Sequence, residues 1–275
     1  MICKKVDLYE HFGKCRADAN GGYLNVYVHA SSEEIKPRLR PAILILPGGG
    51  YCFLSYRESE PVAIDFYARG YNAFVLEYSV NTPYPAPLEE GCMAVKYIRD
   101  QARNFDTDEK HVAAIGFSAG GHLAGLLATL KRGETQFADC KINAAVLSYP
   151  VVTMGEYTHE GSRKEITGGN TALFEKLSVE KRVDKNSAPV FIWHTAKDDC
   201  VLVQNALMLA GAYAAAGADF TLHVFEKGWH GLSLCNDEVS NLTEEETAVH
   251  KGAGIWTELA REWLKERGFC VKVRN

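Results

Sequence analysis

The chain has 275 residues, of which 47% are hydrophobic and 24% charged, a composition typical of a globular protein with a sizeable core. Its formal net charge of −5 and the lack of any Lys/Arg cluster argue against nucleic acid as a partner. The longest aliphatic stretch, AILIL at residues 42–46, is far shorter than the roughly 20 residues of a membrane span, so we expect no membrane partner.

The amino-terminal segment MICKKVDLYEHFGK is charged and lacks the apolar core of a secretory signal. Eight cysteines are spread through the chain, and no C-x-x-C pair occurs, so neither a zinc ribbon nor thioredoxin-like chemistry is indicated. The sequence therefore predicts a cytoplasmic protein whose cysteines are reduced and mostly buried.

Strand and helix signals alternate along the chain. Residues 23–30 alternate polar and apolar side chains, as a half-exposed strand does, whereas residues 42–46 and 73–78 are continuously apolar, which is typical of strands covered on both faces. The predicted strands are 23–30, 42–46, 73–78, 111–116, 144–149, 190–195 and 220–225. The predicted helices are 61–70, 87–105, 120–133, 203–218 and 254–268.

This alternation predicts an α/β protein with an open, mostly parallel sheet, to which the first strand adds an antiparallel edge. Residues of about 150–187 and 235–250 are polar and break the alternation. We expect both to be insertions above the carboxyl ends of the strands, where open α/β sheets bind ligands. No repeat, low-complexity tract or linker is evident, so the sequence predicts a single domain over residues 1–275.

Residues 116–120, Gly-Phe-Ser-Ala-Gly, fit the pattern G-x-S-x-G between an apolar strand and a helix of small residues. A nucleophilic serine in this pattern lies on a sharp strand-to-helix turn, where glycines allow a close approach of the backbone. The helix that follows directs its positive amino-terminal end at the negative charge that develops in the reaction. The alternative is a structural turn in which Ser118 caps the helix.

A serine hydroxyl needs a base to take its proton and an acid to orient that base. In this strand–helix arrangement the chain order is serine, then Asp or Glu, then His. The predicted strand 190–195 runs into Asp198 and Asp199, and the predicted strand 220–225 runs into His230, which has glycines close by on both sides. The acid and the base would therefore follow successive strands.

The run Leu-Pro-Gly-Gly-Gly-Tyr at residues 46–51 follows the predicted strand 42–46. Glycine loops in this position supply backbone N–H groups to the oxyanion of acyl-transfer intermediates. Gly49, Gly50 and Ala119 are the candidate donors of such an oxyanion hole. A phosphate-binding loop is a competing interpretation, but no G-K-[ST] follows the glycines. An ordinary glycine turn is the remaining alternative.

Several stretches carry a resemblance to a known family: LPGGGY, GFSAGGHLA, SYPVVTM, HEGSRKEITG, WHTAKDDCVLV, FEKGWHGLSL and IWTELAREWL. The chain resembles an α/β-hydrolase of the acetyl-esterase type, close to acetylxylan and feruloyl esterase-like proteins. The resemblance implies a mostly parallel central sheet with helices on both faces and a small insertion, or cap, after the sixth strand. The stretch HTAKDDCVLV resembles the family pattern H-T-x-x-D-x-x-V-P-V, which implies Asp198 rather than Asp199 as the acid, although Leu202 replaces the usual proline.

The predicted function is that of a serine carboxylic-ester hydrolase that acts through an acyl-enzyme, with Ser118, Asp198 and His230 as its catalytic residues. The resemblance implies short acyl groups, acetyl above all, on small esters that include acetylated oligosaccharides. We expect no metal and no organic cofactor. The sequence leaves the oligomeric state open.

Tyr51, Cys52 and His159 are candidates for lining the substrate pocket, against the alternative of ordinary loop packing. Because the same three catalytic residues also cleave amides, a serine peptidase or amidase is the alternative enzyme class. Outside enzymes, the alternative is a non-catalytic binding protein on a hydrolase scaffold, since a fold by itself does not determine function.

Overall fold

The computed structural model describes residues 1–274, and within them nine strands form one continuous sheet. The strands are β1 (Ile2–Asp7), β2 (Tyr23–Val28), β3 (Arg38–Leu46), β4 (Asn72–Glu77), β5 (Thr107–Phe117), β6 (Ala144–Ser148), β7 (Val190–Thr195), β8 (Phe220–Phe225) and β9 (Lys272–Val273). The helices are α1 (Leu8–His11), α2 (Glu60–Ala68), α3 (Ala86–Asp100), α4 (Ala119–Ala128), α5 (Glu160–Thr167), α6 (Leu173–Leu177), α7 (Gln204–Ala216), α8 (Glu244–Ala253) and α9 (Trp256–Glu266). No helix in this described range has the length and apolar character needed to cross a membrane.

The strand order is β1-β2-β4-β3-β5-β6-β7-β8, with β9 paired to the start of β3. Strands β3 to β8 run parallel to their neighbours within this group, which confirms the predicted mostly parallel sheet. The antiparallel edge consists of β2 and, beyond it, β1. No apolar run predicts β1, because most of its side chains are exposed at this edge of the sheet.

The apolar run of β3 is continuous because both faces of the sheet are covered. Leu44 and Leu46 point into a core that is shared with α3, α4 and α7. Ile43 and Ile45 point into a second core, which is shared with α2 and α9. Successive side chains of a strand face opposite sides of a sheet, so each run of this kind serves both cores. The carboxyl ends of the strands remain as the edge where ligands can approach.

The insertion predicted after β6 is a folded segment that contains α5 and α6. The side-chain amide of Asn205 on α7 is fully buried and forms hydrogen bonds to the backbone of Val152 and Tyr157 in this segment. Farther along, the guanidinium of Arg182 forms a buried bidentate ion pair with Glu134. The segment is therefore held by buried hydrogen bonds to its backbone and by the buried ion pair of Arg182.

The second predicted insertion, residues 235–250, differs from the expected acidic loop because its second half begins helix α8. The Thr243 hydroxyl accepts a hydrogen bond from the backbone N–H of Glu246, and the Glu246 carboxylate accepts one from the backbone N–H of Thr243. Acidic residues are favourable in a first helical turn, where the backbone carries partial positive charge. The acidic run therefore stabilises the start of a helix.

The cysteines differ from the prediction that most are buried. Cys92, Cys140 and Cys235 are buried and Cys270 is half-buried, whereas the other four are exposed. All eight are free thiols. The exposed cysteines lie at the amino-terminal edge and in loops, where no packing requires a small apolar side chain.

Candidate active site

The turn between β5 and α4 carries Ser118. Its backbone has φ 53° and ψ −117°, a conformation that L-residues rarely adopt and that surrounding structure must hold in place. The turn requires glycine at position 116, because a Cβ there would lie 2.2 Å from the carbonyl oxygen of Gly120. Among the described residues, the Ser118 hydroxyl makes no cap bond to α4, so the alternative of a helix-capping serine does not apply.

Ser118, His230 and Asp198 form a hydrogen-bonded series at the carboxyl ends of β5, β7 and β8. The Ser118 Oγ lies 2.7 Å from Nε2 of His230, and Nδ1 of His230 lies 2.8 Å from Oδ2 of Asp198. Nδ1–H donates to the carboxylate, so Nε2 is left as an acceptor for the serine proton. Asp199, which the chain order alone also allows as the acid, is exposed.

Hydrogen bonds to both oxygens hold Asp198 as an anion. Oδ1 accepts from the backbone N–H groups of Cys200 at 3.0 Å and Val201 at 2.9 Å, and Oδ2 faces His194 at 3.4 Å as well as His230. Burial by itself raises the pKa of Asp198, but the hydrogen bonds from His194 and His230 outweigh it and keep the pKa well below its usual range. The carboxylate is therefore charged when it orients the imidazole.

The glycine loop after β3 lies against the start of α4. The carbonyl oxygen of Gly49 accepts from the backbone N–H groups of Cys52 at 2.9 Å and Phe53 at 3.2 Å, which closes the loop into a tight turn. Within residues 1–274, the N–H groups of Gly49, Gly50 and Ala119 have no backbone acceptor. Free amides beside a serine at a helix amino terminus are the donors that an oxyanion requires.

The prediction that Tyr51 lines the substrate pocket is wrong. Its side chain is fully buried, and its hydroxyl lies 2.8 Å from Nδ1 of His122. The backbone of Tyr51 has φ 62°, and from this conformation the ring packs beneath the glycine loop rather than above it. Tyr51 therefore supports the loop and has no access to a substrate.

Cys52 and His159 lie on the accessible side of the glycine loop. Cys52 is exposed, with its Sγ 3.6 Å from the carbonyl oxygen of Gly50. His159 precedes α5, and its Nδ1 faces the backbone N–H of Ser162 at 3.2 Å and the Ser162 hydroxyl at 2.8 Å. A Cβ on Gly50 would lie 3.7 Å from Cε1 of His159, so the imidazole stands beside the loop.

The protonation state of His159 follows from these contacts. Because a backbone N–H donates to Nδ1, the ring proton is on Nε2, which makes Nε2 a hydrogen-bond donor. Burial lowers the pKa of His159, and the nearby His230 lowers it further. The ring therefore stays neutral near pH 7 and presents a single N–H group.

Glu58 is a buried acid beside this site that the sequence does not reveal. It ends a short 3-10 turn, Tyr56–Glu58, within a polar stretch typical of a surface loop, yet it is 3% exposed. Its Oε2 accepts from the backbone N–H of Gly48 at 2.8 Å, and its Oε1 accepts from the Tyr149 hydroxyl at 2.7 Å. Only the folded chain places this carboxylate behind the glycine loop.

Comparison with known proteins identifies the family. The family model for BD-FAE matches residues 24–213, which is more than half of the chain. The chain belongs to the BD-FAE family. The resemblance to esterase-type α/β-hydrolases is thereby confirmed, and the sheet described above is the α/β-hydrolase sheet of this family.

Two curated relatives of this BD-FAE protein come from bacteria. Endo-1,4-beta-xylanase B of Butyrivibrio fibrisolvens is 37% identical over 235 residues, which cover 80% of this chain and 36% of the relative. An acetylxylan esterase of Xylanibacter ruminicola is 28% identical over 202 residues, which cover 70% of this chain and 41% of the relative. The chain thus spans less than half the length of each of these relatives.

Solved structures match the BD-FAE protein over nearly its whole length. An acetyl ester-xyloside bifunctional hydrolase of Caldicellulosiruptor lactoaceticus is 32% identical, with a TM-score of 0.81 and coverage of 97% of both chains. A carboxylesterase of Lactobacillus plantarum is 25% identical, with a TM-score of 0.83 and coverage of 98% of both chains. The fold, including its insertions, is therefore shared from end to end with these proteins.

Proposed function

We propose that this BD-FAE protein is a serine carboxylesterase that removes short acyl groups, acetyl above all, from small esters and acetylated carbohydrates. The observation that carries the proposal is the hydrogen-bonded series from Ser118 through His230 to Asp198, with distances of 2.7 and 2.8 Å. The substrate class is supported by similarity to an acetylxylan esterase and to an acetyl ester-xyloside hydrolase.

In the first half of the proposed reaction Ser118 becomes acylated. Its Oγ bonds to the ester carbonyl carbon while Nε2 of His230 accepts the hydroxyl proton, and the carbonyl oxygen gains a negative charge. Collapse of this tetrahedral intermediate breaks the bond to the alcohol oxygen, which takes the proton from His230 as the alcohol leaves. The Asp198 carboxylate stabilises the imidazolium that exists between the two proton transfers.

In the second half a water molecule removes the acyl group. His230 accepts a proton from the water as the water oxygen bonds to the acyl carbon, which again places a negative charge on the carbonyl oxygen. When the second intermediate collapses, the bond to Ser118 Oγ breaks and Oγ recovers its proton from His230. The carboxylic acid leaves, and the enzyme returns to its starting state.

The N–H groups of Gly49, Gly50 and Ala119 are the proposed oxyanion donors for both intermediates. They fit this role because their N–H groups have no backbone acceptor among residues 1–274, so no hydrogen bond has to break when the oxyanion forms. Each donor of this kind contributes about 3 kcal/mol of transition-state stabilisation.

Cys52 and His159 are the proposed side chains at the mouth of the substrate pocket. His159 presents a neutral ring whose Nε2–H is a hydrogen-bond donor, which suits a hydroxyl or ring oxygen of a sugar. The exposed Cys52 thiol lies on the same side of the glycine loop and adds an apolar contact.

The test is a series of initial rates on p-nitrophenyl esters from acetate to decanoate, followed by acetate release from acetylated xylo-oligosaccharides. We expect the acetate ester to react fastest and Ser118→Ala to lose essentially all activity. Asp198→Asn is expected to lower kcat by several orders of magnitude, because the amide favours the wrong tautomer of the imidazole.

The matched control for the acid is Asp199→Asn, which changes the neighbouring exposed carboxylate and should retain wild-type rates. A wild-type protein without Ser118-dependent hydrolysis of any ester would contradict the proposed function. Faster cleavage of acyl p-nitroanilides than of the matching esters would favour the amidase alternative.

A further inference from the structure

A chain of hydrogen bonds runs behind the active site from the glycine loop to the loop that carries His230. Oε2 of Glu58 accepts from the Gly48 N–H at 2.8 Å, and Oε1 accepts from the Tyr149 hydroxyl at 2.7 Å. The Tyr149 hydroxyl in turn accepts from the backbone N–H of Ser233 at 2.8 Å. One carboxylate thereby connects the segment of the oxyanion donors with the segment of the base.

Tyr149 also contacts the base directly. Its ring is fully buried, and its centroid lies 5.0 Å from the centroid of the His230 imidazole, with the two planes at 70°. This edge-to-face contact restricts the tilt of the imidazole. Because the Glu58 carboxylate holds the Tyr149 hydroxyl, a shift of the carboxylate would move the Tyr149 ring and, through the ring contact, the His230 imidazole.

At the other end, Gly48 is confined between Glu58 and the nucleophile. A Cβ on Gly48 would lie 2.6 Å from Oε2 of Glu58 and 3.0 Å from Cβ of Ser118. The hydrogen bond to Glu58 fixes the orientation of the Gly48 peptide group, and the next two peptide groups carry the proposed oxyanion donors. A small rotation at Gly48 would displace those donors from the oxyanion position.

The burial of Glu58 is energetically costly, and hydrogen bonds take the place of an ion pair in offsetting it. Among residues 1–274, Glu58 forms no ion pair with Lys, Arg or His, although it is 3% exposed. Burial raises the pKa of Glu58, and the hydrogen bonds from Tyr149 and Gly48 act in the opposite direction. An apolar residue of similar volume would leave the Gly48 N–H and the Tyr149 hydroxyl without this acceptor, so the carboxylate is what joins these two groups.

We propose that Glu58 is a positioning residue that holds the oxyanion donors and His230 in register with Ser118 through Gly48 and Tyr149. This inference rests on the proposed esterase function. Because Glu58 is buried behind the glycine loop, it acts through Gly48 and Tyr149, and we expect its effect to fall on kcat more than on KM.

The first variant is Glu58→Gln, which keeps the shape of the side chain but replaces one acceptor oxygen by a donor. We expect kcat for p-nitrophenyl acetate to fall ten- to one-hundredfold with KM within twofold of wild type. The matched control is Glu60→Gln, two residues along on an exposed side chain, which should leave kcat and KM unchanged.

The second variant, Tyr149→Phe, removes the link between Glu58 and Ser233 and retains the ring against His230. We expect a similar loss of kcat, and the double variant Glu58→Gln/Tyr149→Phe should be no slower than the slower single variant, because both break the same connection. Losses that multiply in the double variant, or a Glu58→Gln enzyme with wild-type kcat, would overturn the proposal.

A second readout separates this inference from the proposed function. The rate at which a fluorophosphonate labels Ser118 depends on the same oxyanion donors and base but requires no ester turnover. Labelling should slow in Glu58→Gln and Tyr149→Phe in proportion to kcat, at a temperature at which urea or thermal unfolding shows both variants to be folded. Labelling that slows while no ester is hydrolysed would contradict the esterase proposal alone, whereas wild-type labelling rates in both variants would contradict the positioning role alone.

Discussion

The Tyr51 hydroxyl lies 2.8 Å from Nδ1 of His122, and both side chains are fully buried beneath the glycine loop. Nε2 of His122 lies 2.7 Å from the carbonyl oxygen of Leu177, at the end of α6. A neutral imidazole satisfies both contacts, since it donates to the carbonyl and accepts from the tyrosine. This pair joins the glycine loop to the inserted segment, in a buried setting that favours the neutral imidazole.

The first prediction concerns stability below neutral pH. Burial lowers the pKa of His122 to about 4, against about 6.5 for an unfolded histidine. The unfolded chain therefore binds a proton as the pH falls below about 6.5, whereas the folded chain binds it only near pH 4. The stabilisation is complete above the unfolded pKa and is lost as the pH falls, at about 1.4 kcal/mol per pH unit and about 3 kcal/mol in total.

This slope can be measured by urea unfolding at several pH values between about 7 and 4, a range that covers the titration of histidine. His122→Gln should show a shallower decline of the free energy of unfolding with falling pH than wild type. His11→Gln, at an exposed position, should keep the wild-type slope. Equal slopes for the wild type and His122→Gln would contradict the prediction.

A second prediction concerns the buried ion pair between Arg182 and Glu134, whose side chains are 7% and 8% exposed. Arg182→Ala leaves a buried carboxylate without its partner, so we expect a loss of about 3–5 kcal/mol in the free energy of unfolding. The adjacent Lys181 forms an exposed pair with Glu175, and Lys181→Ala should cost less than about 1 kcal/mol. Similar losses in both variants, measured by urea unfolding, would show that burial does not determine the strength of the Arg182 pair.

A third prediction concerns Asn205, which joins the inserted segment to the loop after β7. Its Oδ1 accepts from Val152, and its Nδ2 donates to the carbonyl oxygens of Tyr157 and Leu202. Asn205→Ala leaves buried backbone groups without partners, so we expect a loss on the order of 3 kcal/mol. The exposed Asn170→Ala in the same segment is the control, and a thermal midpoint as high in Asn205→Ala as in this control would disprove the role.

The fourth prediction concerns the proposed contact between His159 and a sugar in the substrate pocket. Asn is a favourable helix cap, so His159→Asn should preserve the start of α5 and the thermal midpoint while it removes the Nε2–H donor. We expect KM for acetylated xylo-oligosaccharides to rise about tenfold, the value of one lost hydrogen bond, and KM for p-nitrophenyl acetate to stay unchanged. A parallel rise for both substrates would point to a disturbed loop instead of a lost sugar contact.

The positions of Ser118, Asp198 and His230 could be predicted because each follows an apolar strand, and parallel strands bring their carboxyl ends to one edge of the sheet. The burial of Tyr51 could not be predicted, because its place after the glycines does not determine the direction of its ring. The folded backbone turns that ring inward to His122.

The burial of Glu58 could not be predicted from the sequence for a related reason. Its neighbours Arg57 and Ser59 are polar, so the local pattern is that of a surface turn. Its partner Gly48 lies ten residues earlier, and its partner Tyr149 lies far away along the chain. A contact to a backbone N–H and a contact to a distant side chain leave no periodic signal in a sequence. Buried polar residues of this kind become visible only when the whole sheet has been assembled.

The most direct test of the proposed reaction is to trap the acyl-enzyme. Wild-type protein is mixed with p-nitrophenyl acetate, quenched in acid during the first turnovers, digested and analysed by mass spectrometry, with Ser118→Ala as the control. We expect one acetyl group on Ser118 in the wild type, and none at this position in the variant. Ester turnover with no acetyl on Ser118, or with the acetyl on an exposed thiol such as Cys200, would contradict it.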